Sequence, residues 1–396
     1  MRMNKKKKIV PKFRFSKYVN SEQWISTELS SLLDYERPDL YIVESDNYKN
    51  EGIPVLTANK SFILGYTDEK NNIYSHVPVI IFDDFTTEKK YVDFSFKVKS
   101  SAIKILKPKG KNVLKFVFEL MNTINFEAKE HKRYYISTYQ KLFVYVPKDV
   151  REQQKIADCL FSIDKLIDAE SRKLKALEEY KKGLMKKLFP VEGKTLPEWR
   201  FPEFKHCGDW EQATLTKVAF YENGKAHENY IEEYGKYIVV NSKFIATDGE
   251  VKKYSNTANL LAERGDILMV LSDVPNGRAL AKCYFVDEND KYTVNQRICR
   301  LRPHDIDSLF LFYHMNRNKY FLDFDDGVKQ TNLKKSDVLA CPLLKPKEKR
   351  EQQKIADCLL EIDTMITVQF KKIERLKTHK KGLMQGLFPS LEGVDV

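Results

Sequence analysis

Only one short segment of this 396-residue sequence has the residue types of a catalytic motif. The pair Pro38-Asp39 precedes Glu44-Ser45-Asp46. This order is typical of metal-dependent nuclease motifs, but Asp46 stands where such sites use a lysine. The sequence has no Walker A loop, no GxGxxG after a strand, and no HExxH or GxSxG segment. It also lacks the Asn/Asp-Pro-Pro-aromatic run that flips and methylates a base. The sequence therefore favours a protein that binds over one that catalyses.

Composition predicts a globular cytoplasmic protein with an anionic partner. Hydrophobic residues make up 42% of the chain and aromatic residues 12%, which is typical of a folded protein. The formal net charge is +12, which favours nucleic acid over a membrane surface. The cysteines form no CxxC pair and no Cys/His group at zinc spacing, so we expect a reducing compartment and no metal site. No run approaches 18 apolar residues, so we expect no membrane span.

Side chains suited to reading DNA recur in the predicted loops of both halves of the chain. Amides, hydroxyls, Lys and Arg read base edges, and Lys, Arg and backbone amides hold phosphates. In the first half these residues are Asn59, Lys60, Ser61, Lys89, Lys90, Lys132, Arg133 and Tyr134. In the second half they are Asn241, Ser242, Lys243, Ser272, Asn276, Arg278, Lys329, Gln330, Thr331 and Asn332. Each residue alone is explained by ordinary solvent exposure, but their recurrence in both halves favours a DNA-binding surface.

A segment of 40 residues occurs twice and predicts two long helices. It begins with REQQKIADCL at Arg151 and again at Arg350, and 23 of the 40 aligned residues are identical. Apolar residues recur every three or four positions, which predicts a heptad seam in each copy. The seam residues are Ile156, Leu160, Ile163, Ile167, Leu174, Leu177, Leu184 and Leu188, and then Ile355, Leu359, Ile362, Ile366, Ile373, Leu376, Leu383 and Leu387. Pro190 and Pro389 end the two helices.

Polar residues interrupt both seams at matching places, Glu170 with Gln369 and Lys181 with Lys380. A polar residue in a seam weakens the packing but fixes its register. The matched interruptions therefore favour packing of the two helices on each other. A coiled coil that dimerises between chains is the alternative, but each helix already has a partner of equal length in its own chain.

A head precedes each long helix. Trp24 and Tyr35 of the first head return as Trp210 and Tyr221 in the second. Short apolar runs between turn residues predict strands at 53–56, 77–82, 103–106, 237–240, 266–271 and 298–301, with helices at 112–125 and 306–318. The sequence thus predicts a first head (1–150), a first long helix (151–190), a second head (191–348), a second long helix (349–389) and a tail (390–396).

Several segments resemble those of specificity subunits of type I restriction-modification systems. They are the doubled REQQKIADCL, GDILMVLSD, TVNQRICRLRP and GVKQTNLKKSDVLACPL. The resemblance covers nearly the whole chain, although the first head departs from it. VPVIIFDD stands there in place of the GDIL strand, and KRYYISTYQKL in place of GVKQTNLKKSD.

The resemblance implies an α+β fold with two mainly β target recognition domains, each reading half of a bipartite, asymmetric site on double-stranded DNA. Two long helices would pack as an antiparallel coiled coil between them, giving an internal pseudo-twofold duplication. These helices would act as a spacer and dock two methyltransferase subunits, which restriction subunits join in the full complex. S-adenosylmethionine, ATP and Mg²⁺ would belong to those partners, and this chain would be non-catalytic with no cofactor of its own.

Near-identity at the start of both helices predicts a partner-binding surface, because packing alone would tolerate variation there, although recent duplication of the repeat is the alternative explanation. Its candidate residues are Gln153, Gln154, Ile156, Leu160, Gln352, Gln353, Ile355 and Leu359. Two other functions stay open from the sequence. A self-contained DNA-modifying or restriction enzyme with an unrecognised active site would act on DNA alone, and a coiled-coil scaffold would not bind DNA selectively.

Overall fold

The computed structural model describes residues 9–59 and 61–390, and the chain divides into two compact units. Unit 1 consists of Met1–Lys173 and Gln369–Val396, and unit 2 consists of Leu174–Val368. Both divisions fall inside the long helices, so each unit contains one head and one half of each helix. The compact units therefore differ from the segments predicted from the sequence, because each helix half packs with a head.

The head of unit 1 is built mainly from antiparallel strands. They are β1 (Ile25–Glu28), β2 (Leu33–Glu36), β3 (Ile53–Leu56), β4 (Ile63–Thr67), β5 (Val79–Asp83), β6 (Lys89–Val92), β7 (Lys97–Val98), β8 (Ile103–Pro108) and β9 (Phe143–Val146), with helix α1 at Leu114–Asn122. One sheet has the order β2-β8-β5-β6 and a second the order β4-β3-β7, while β1 pairs with β9. All five residues of β5 are buried, as expected for the apolar run Val79 to Phe82 in the middle of a sheet.

The head of unit 2 repeats this plan. Its strands are β10 (Glu211–Thr214), β11 (Ala219–Asn223), β12 (Tyr237–Val240), β13 (Tyr254–Ser255), β14 (Leu261–Ala262), β15 (Ile267–Val270), β16 (Ser272–Asp273), β17 (Cys283–Phe285), β18 (Tyr292–Val294), β19 (Ile298–Pro303), β20 (Thr331–Asn332) and β21 (Pro342–Lys345). Its two larger sheets have the strand orders β11-β19-β15-β17 and β13-β12-β18-β14. Two further strand pairs, β10-β21 and β16-β20, complete the head.

The short helices of the two heads show how closely the structure follows the sequence. The helix predicted at 112–125 is α1, and the one predicted at 306–318 is α4 (Ser308–Met315), followed by the separate α5 (Lys319–Leu322). Unit 2 also contains α3 (Ser242–Ala246) and α6 (Lys335–Leu339). The similar segments NKSFI and NSKFI take different structures, since the first leads into strand β4 and the second forms α3.

The two long helices pack on each other in opposite directions. They are α2 (Val150–Leu188) and α7 (Lys349–Leu387). The polar pairs across them are Asp164 with Lys380, Glu170 with Gln369, and Lys181 with Asp363, at 2.7, 2.6 and 2.5 Å. Residue numbers rise along α2 while those of the partners fall along α7, so the helices are antiparallel. The structure confirms that the matched polar residues of the seams join the helices. No helix in the described ranges is long and apolar enough to span a membrane.

In each unit, a buried ion pair fastens the start of a long helix to its head. Glu152 of α2 accepts two hydrogen bonds from the guanidinium of Arg14, both at 2.7 Å, and a third from the Trp24 indole at 3.3 Å. In unit 2, Glu351 accepts from Arg200 and Trp210 at the same three distances. Both glutamate side chains are buried. The hydrogen bond to Glu152 raises the pKa of Arg14, and Glu351 does the same for Arg200.

Most of the predicted partner-binding residues are also buried, which corrects that prediction. Ile156, Leu160, Ile355 and Leu359 lie in the hydrophobic cores of their units. The Gln153 side chain accepts a hydrogen bond from the Val113 backbone, and that of Gln352 accepts one from Asp307. These six residues therefore pack each helix against its own head and offer no surface to a partner. Only Gln154 and Gln353 are exposed.

Half-buried His314 is expected to make unit 2 sensitive to acid. Its Nε2 atom is buried without a hydrogen-bond partner in the described part of the chain, and burial lowers its pKa to about 4. The unfolded chain, with an ordinary histidine pKa near 6.5, therefore binds a proton first as the pH falls. We expect a loss of about 2 kcal/mol in the free energy of unfolding between pH 7.5 and pH 5. Urea titrations of the wild type and of His314→Gln at both pH values measure this loss. If the free energy of unfolding depended equally on pH in both proteins, His314 would not be the cause.

Candidate nucleic-acid interface

In unit 2, two loops meet at the end of strand β15. The loop at 271–282 follows β15, and its β16 pairs with β20 of the segment at 323–333, so that Ser272 lies opposite Asn332. The Gln330 amide donates to the Ser272 hydroxyl over 3.1 Å. Gln330 and Asn332 are exposed, whereas Ser272 and Thr331 are buried. We call residues 271–282 and 323–333 the loop face of unit 2. The structure thus brings together four of the predicted DNA-binding residues.

The tips of these loops add cations and apolar side chains to the same face. Asn276 has a left-handed backbone with a φ of +55°, and its side-chain amide donates to the Gly327 carbonyl over 3.2 Å. Arg278 and Lys329 are exposed. Val274 is 62% exposed and Val328 75% exposed. Amides that bond base edges, cations that bond phosphates and apolar groups that contact thymine methyls therefore lie on one surface.

The predicted residues Asn241, Ser242 and Lys243 have a more structural position. They form the start of α3, where the Asn241 side-chain oxygen accepts a hydrogen bond from the Phe244 backbone over 2.9 Å. This is an N-cap, which the sequence analysis missed although Asn is a preferred capping residue. Lys243 alone of the three is fully exposed. Lys282, at the end of the loop face, donates a hydrogen bond to the Ala246 carbonyl and so connects α3 to the loop face.

In unit 1, the corresponding loops meet at the end of strand β5. The backbone carbonyl of Asp84 accepts from the Tyr134 amide, and its carboxylate accepts from the Tyr135 amide, both at 2.8 Å. The Thr86 hydroxyl donates to the Asn59 side chain over 3.2 Å. We call residues 57–62, 84–88 and 126–138 the loop face of unit 1, of which Lys60 lies outside the described residues. Asn59 and Ser61 are exposed.

An aromatic stack that the sequence analysis missed lies on the loop face of unit 1. The Phe85 and His131 rings are 4.7 Å apart and nearly parallel, and the Arg133 guanidinium lies 5.9 Å from the Phe85 ring. Planar groups of this kind stack on nucleic-acid bases. An aromatic residue in a predicted loop is the only sequence signal for the stack. Lys132 is exposed but pairs with Glu130 at 2.7 Å.

Three further predicted residues of unit 1 are less available. Tyr134 is buried, and its hydroxyl bonds the backbone of Glu130, so its position corrects the prediction that it reads DNA. Lys89 and Lys90 are half-buried on strand β6, and burial lowers the pKa of Lys89. A buried ion pair of Lys104 with Asp84, at 3.2 Å, lies below the loop face and ties β8 to the loop after β5.

Within residues 9–59 and 61–390, no group of three or more His, Cys, Asp or Glu side chains is placed to hold a metal ion. The described arrangement offers donors, acceptors, cations and planar rings to a ligand, which are the means of sequence recognition.

Comparison with known proteins identifies the family. The family described as "Type I restriction modification DNA specificity domain" matches residues 208–378. The type I restriction enzyme EcoR124I/EcoR124II specificity subunit of Escherichia coli is 31% identical over 368 residues, which are 87% of each chain. The chain belongs to the type I restriction enzyme specificity subunits. The MjaVIII specificity subunit of Methanocaldococcus jannaschii is 26% identical to this specificity subunit over 256 residues, or 59% of each chain.

Solved structures show the same fold. The S subunit of a type I restriction-modification system from M. genitalium has a TM-score of 0.68, covers 97% of this specificity subunit and all of its own chain, and is 16% identical. A second match is a chain from a structural study of complex assembly and conformational transition in a type I restriction-modification system. It has a TM-score of 0.53 and 14% sequence identity, and the match covers 93% of this chain and 98% of that one. The predicted α+β architecture with two heads and two long helices is therefore confirmed.

Proposed function

We propose that this specificity subunit reads a bipartite DNA site and leaves catalysis to its partners. The loop face of unit 1 would read one half-site and that of unit 2 the other. The observation that carries the proposal is that equivalent loops at the end of β5 and β15 display different side chains. The first offers a Phe85-His131 stack beside Arg133, and the second offers Asn276, Gln330 and Asn332. Different side chains on one scaffold suit two different half-sites.

The helices would dock two methyltransferase subunits, and exposed identity between the two copies supports this. The exposed residues in the first ten positions of the repeat are the same in both copies. They are Arg151, Gln154, Lys155 and Asp158, and then Arg350, Gln353, Lys354 and Asp357. The exposed positions from 162 to 172 all differ from their counterparts in the second copy, Ser162 from Glu361 and Lys165 from Thr364 among them. Recent duplication would have preserved both groups equally, so two copies of one partner account better for the identical group.

A second identical and exposed place lies near the other end of each helix. Gly183 and Gly382 are exposed inside α2 and α7, and a Cβ atom added to either would meet no atom within 4 Å. A helical glycine costs about 1 kcal/mol of stability relative to alanine, and at these two positions it makes room for no described residue of the chain. Gly386 differs, because a Cβ there would strike the Phe13 ring. We infer that a partner helix approaches the backbone closely at Gly183 and Gly382.

Leucine at these glycines is expected to block docking without unfolding the chain. Gly183→Leu and Gly382→Leu each place a bulky side chain on an exposed helix face, where leucine is also a better helix former. We expect each variant to bind one methyltransferase subunit and the double variant none. Native mass spectrometry of the copurified complex counts them. Ala176→Leu, at an exposed position where α7 has Arg375, is the control. A normal complex with the double variant would contradict the docking proposal.

Cofactors would bind to the partners. The sequence has no Walker A loop and no methylation motif, which supports placing S-adenosylmethionine on the methyltransferase, and ATP and Mg²⁺ on the partner subunits. Restriction subunits would join this assembly.

Transfer of labelled methyl groups tests this division of labour. The purified chain, the methyltransferase and their complex are each incubated with DNA and labelled S-adenosylmethionine. We expect incorporation at specific sites with the complex only. Methylation or cutting of DNA by this chain alone would support the self-contained enzyme instead.

A further inference from the structure

Two arginines of unit 2, Arg297 and Arg317, occupy a backbone conformation that favours glycine. Between β18 and β19 the chain turns, and the Ile298 amide donates to the Asn295 carbonyl over 3.3 Å. Arg297 is the third residue of this turn and has a φ of +68°. A turn with positive φ at that position usually contains glycine or asparagine, because a Cβ atom is strained there. Arginine at this position therefore has a conformational cost that glycine would not have.

The surrounding structure holds the turn in place. The Arg297 carbonyl accepts a hydrogen bond from the Leu271 amide over 2.8 Å, and the Asn295 side chain accepts one from the His227 amide over 3.1 Å. Gly224 packs so closely that a Cβ there would overlap the Asn295 carbonyl. Since Leu271 begins the loop face and its own carbonyl accepts from Leu333, the turn places Arg297 beside both loops of that face.

The Arg297 side chain is not engaged by any of the residues that the structure describes. It is exposed, and in the described part of the chain it makes no hydrogen bond, ion pair or ring contact. Neighbouring arginines differ in this respect. Arg300 pairs with Glu222, Arg302 pairs with Asp266, and Arg317 donates to the Leu280 carbonyl. A strained residue whose side chain supports nothing in its own fold indicates a function outside the fold.

We propose that Arg297 reads a guanine in the half-site bound by unit 2. The inference rests on the proposed DNA-reading function and adds a specificity-determining residue to it. A guanidinium presents paired N–H donors that match O6 and N7 of guanine in the major groove. In unit 1 the equivalent carbonyl, which accepts from the Asp84 amide over 2.8 Å, belongs to Ala102. Alanine has no group for this contact, so the reading belongs to the half-site of unit 2 alone.

Arg297→Gly separates function from folding, because glycine suits the left-handed backbone and removes only the side chain. The variant is produced in complex with the methyltransferase, and methylated sites are mapped in genomic DNA. We expect one guanine position in one half-site to become degenerate, with a loss of discrimination of about 10- to 100-fold. The other half-site stays unchanged, and the midpoint of thermal unfolding is equal or higher.

Two further variants make the outcome decisive. Arg297→Lys keeps the charge without the paired donors, and is expected to behave like Arg297→Gly. Arg264→Ala removes an exposed arginine at the opposite end of β15 and is expected to change nothing. An unchanged methylation motif with Arg297→Gly would overturn the proposal. So would a loss of methylation that is equal at all sites with Arg297→Gly and is absent with Arg297→Lys. A wild-type complex without a bipartite motif would instead refute the underlying DNA-reading function.

Discussion

Glu351→Ala is expected to lower the free energy of unfolding of unit 2 by about 3 to 5 kcal/mol. The substitution leaves the Arg200 guanidinium, whose side chain is only 10% exposed, without its bidentate partner, and leaves the Trp210 indole without an acceptor. A buried charge that has lost its partner is far more costly than the pair was favourable. Because Trp210 lies in the core of unit 2, its fluorescence during urea denaturation reports the loss directly.

Two variants separate the orphaned charge from other effects. The double variant Arg200→Leu with Glu351→Leu removes both charges, and we expect it to recover more than half of the lost stability. Glu361→Ala removes an exposed carboxylate from the same helix and is expected to change the free energy of unfolding by less than about 0.5 kcal/mol. If Glu351→Ala were no less stable than Glu361→Ala, the buried ion pair would not be what fastens the helix to the head.

The double substitution Gln330→Ala with Asn332→Ala is expected to reduce methylation of the cognate site by about 100-fold or more. Both amides are exposed on the loop face of unit 2. Bidentate amide contacts with adenine each contribute roughly 1 to 3 kcal/mol of discrimination. The measurement is the initial rate of methyl transfer by the complex to duplexes that carry every single-base change in each half-site.

The pattern of the loss matters as much as its size. We expect discrimination to fall in one half-site only, since the loop face of unit 1 is unaltered. Gln212→Ala, which removes an exposed amide of unit 2 outside the loop face, serves as the control. Equal losses with Gln212→Ala, or a loss spread over both half-sites, would show that Gln330 and Asn332 do not read DNA.

The long helices could be predicted from the sequence because their signal is repeated. Two seams with matched interruptions at Glu170 and Gln369 indicated a pair of helices in one chain, and those residues are in direct contact. Strands built around apolar runs, such as β5 (Val79–Asp83), were predicted to within two residues of their ends. Periodicity depends on burial, so it reports the elements that form the core.

Identity between the repeats was less informative about function. Gln153 and Gln154 are neighbours and both are repeated, but the first is buried against the head and the second is exposed. The sequence contains no signal that separates them, because the head that covers Gln153 is contributed by distant residues such as Val113. The structure was needed to show which of the repeated residues are exposed. Only then could identity between the two repeats indicate a partner surface.

The loop faces were predicted only in part for a similar reason. Gln330 and Asn332 were found as polar residues in a loop, whereas Asn241 proved to be a helix cap and Tyr134 a buried side chain. Arg297 was missed because its distinguishing property is a backbone angle, and residue type alone does not reveal a positive φ. Contacts between distant loops and local strain both depend on tertiary structure.

Sequencing of methylated bases in DNA from cells that express this chain with its methyltransferase tests the central claim most directly. Two different readers in one chain predict a single asymmetric motif of two specified blocks separated by unspecified bases. The motif must disappear when either protein is expressed alone. One continuous block, or the same motif from either protein alone, would contradict the account.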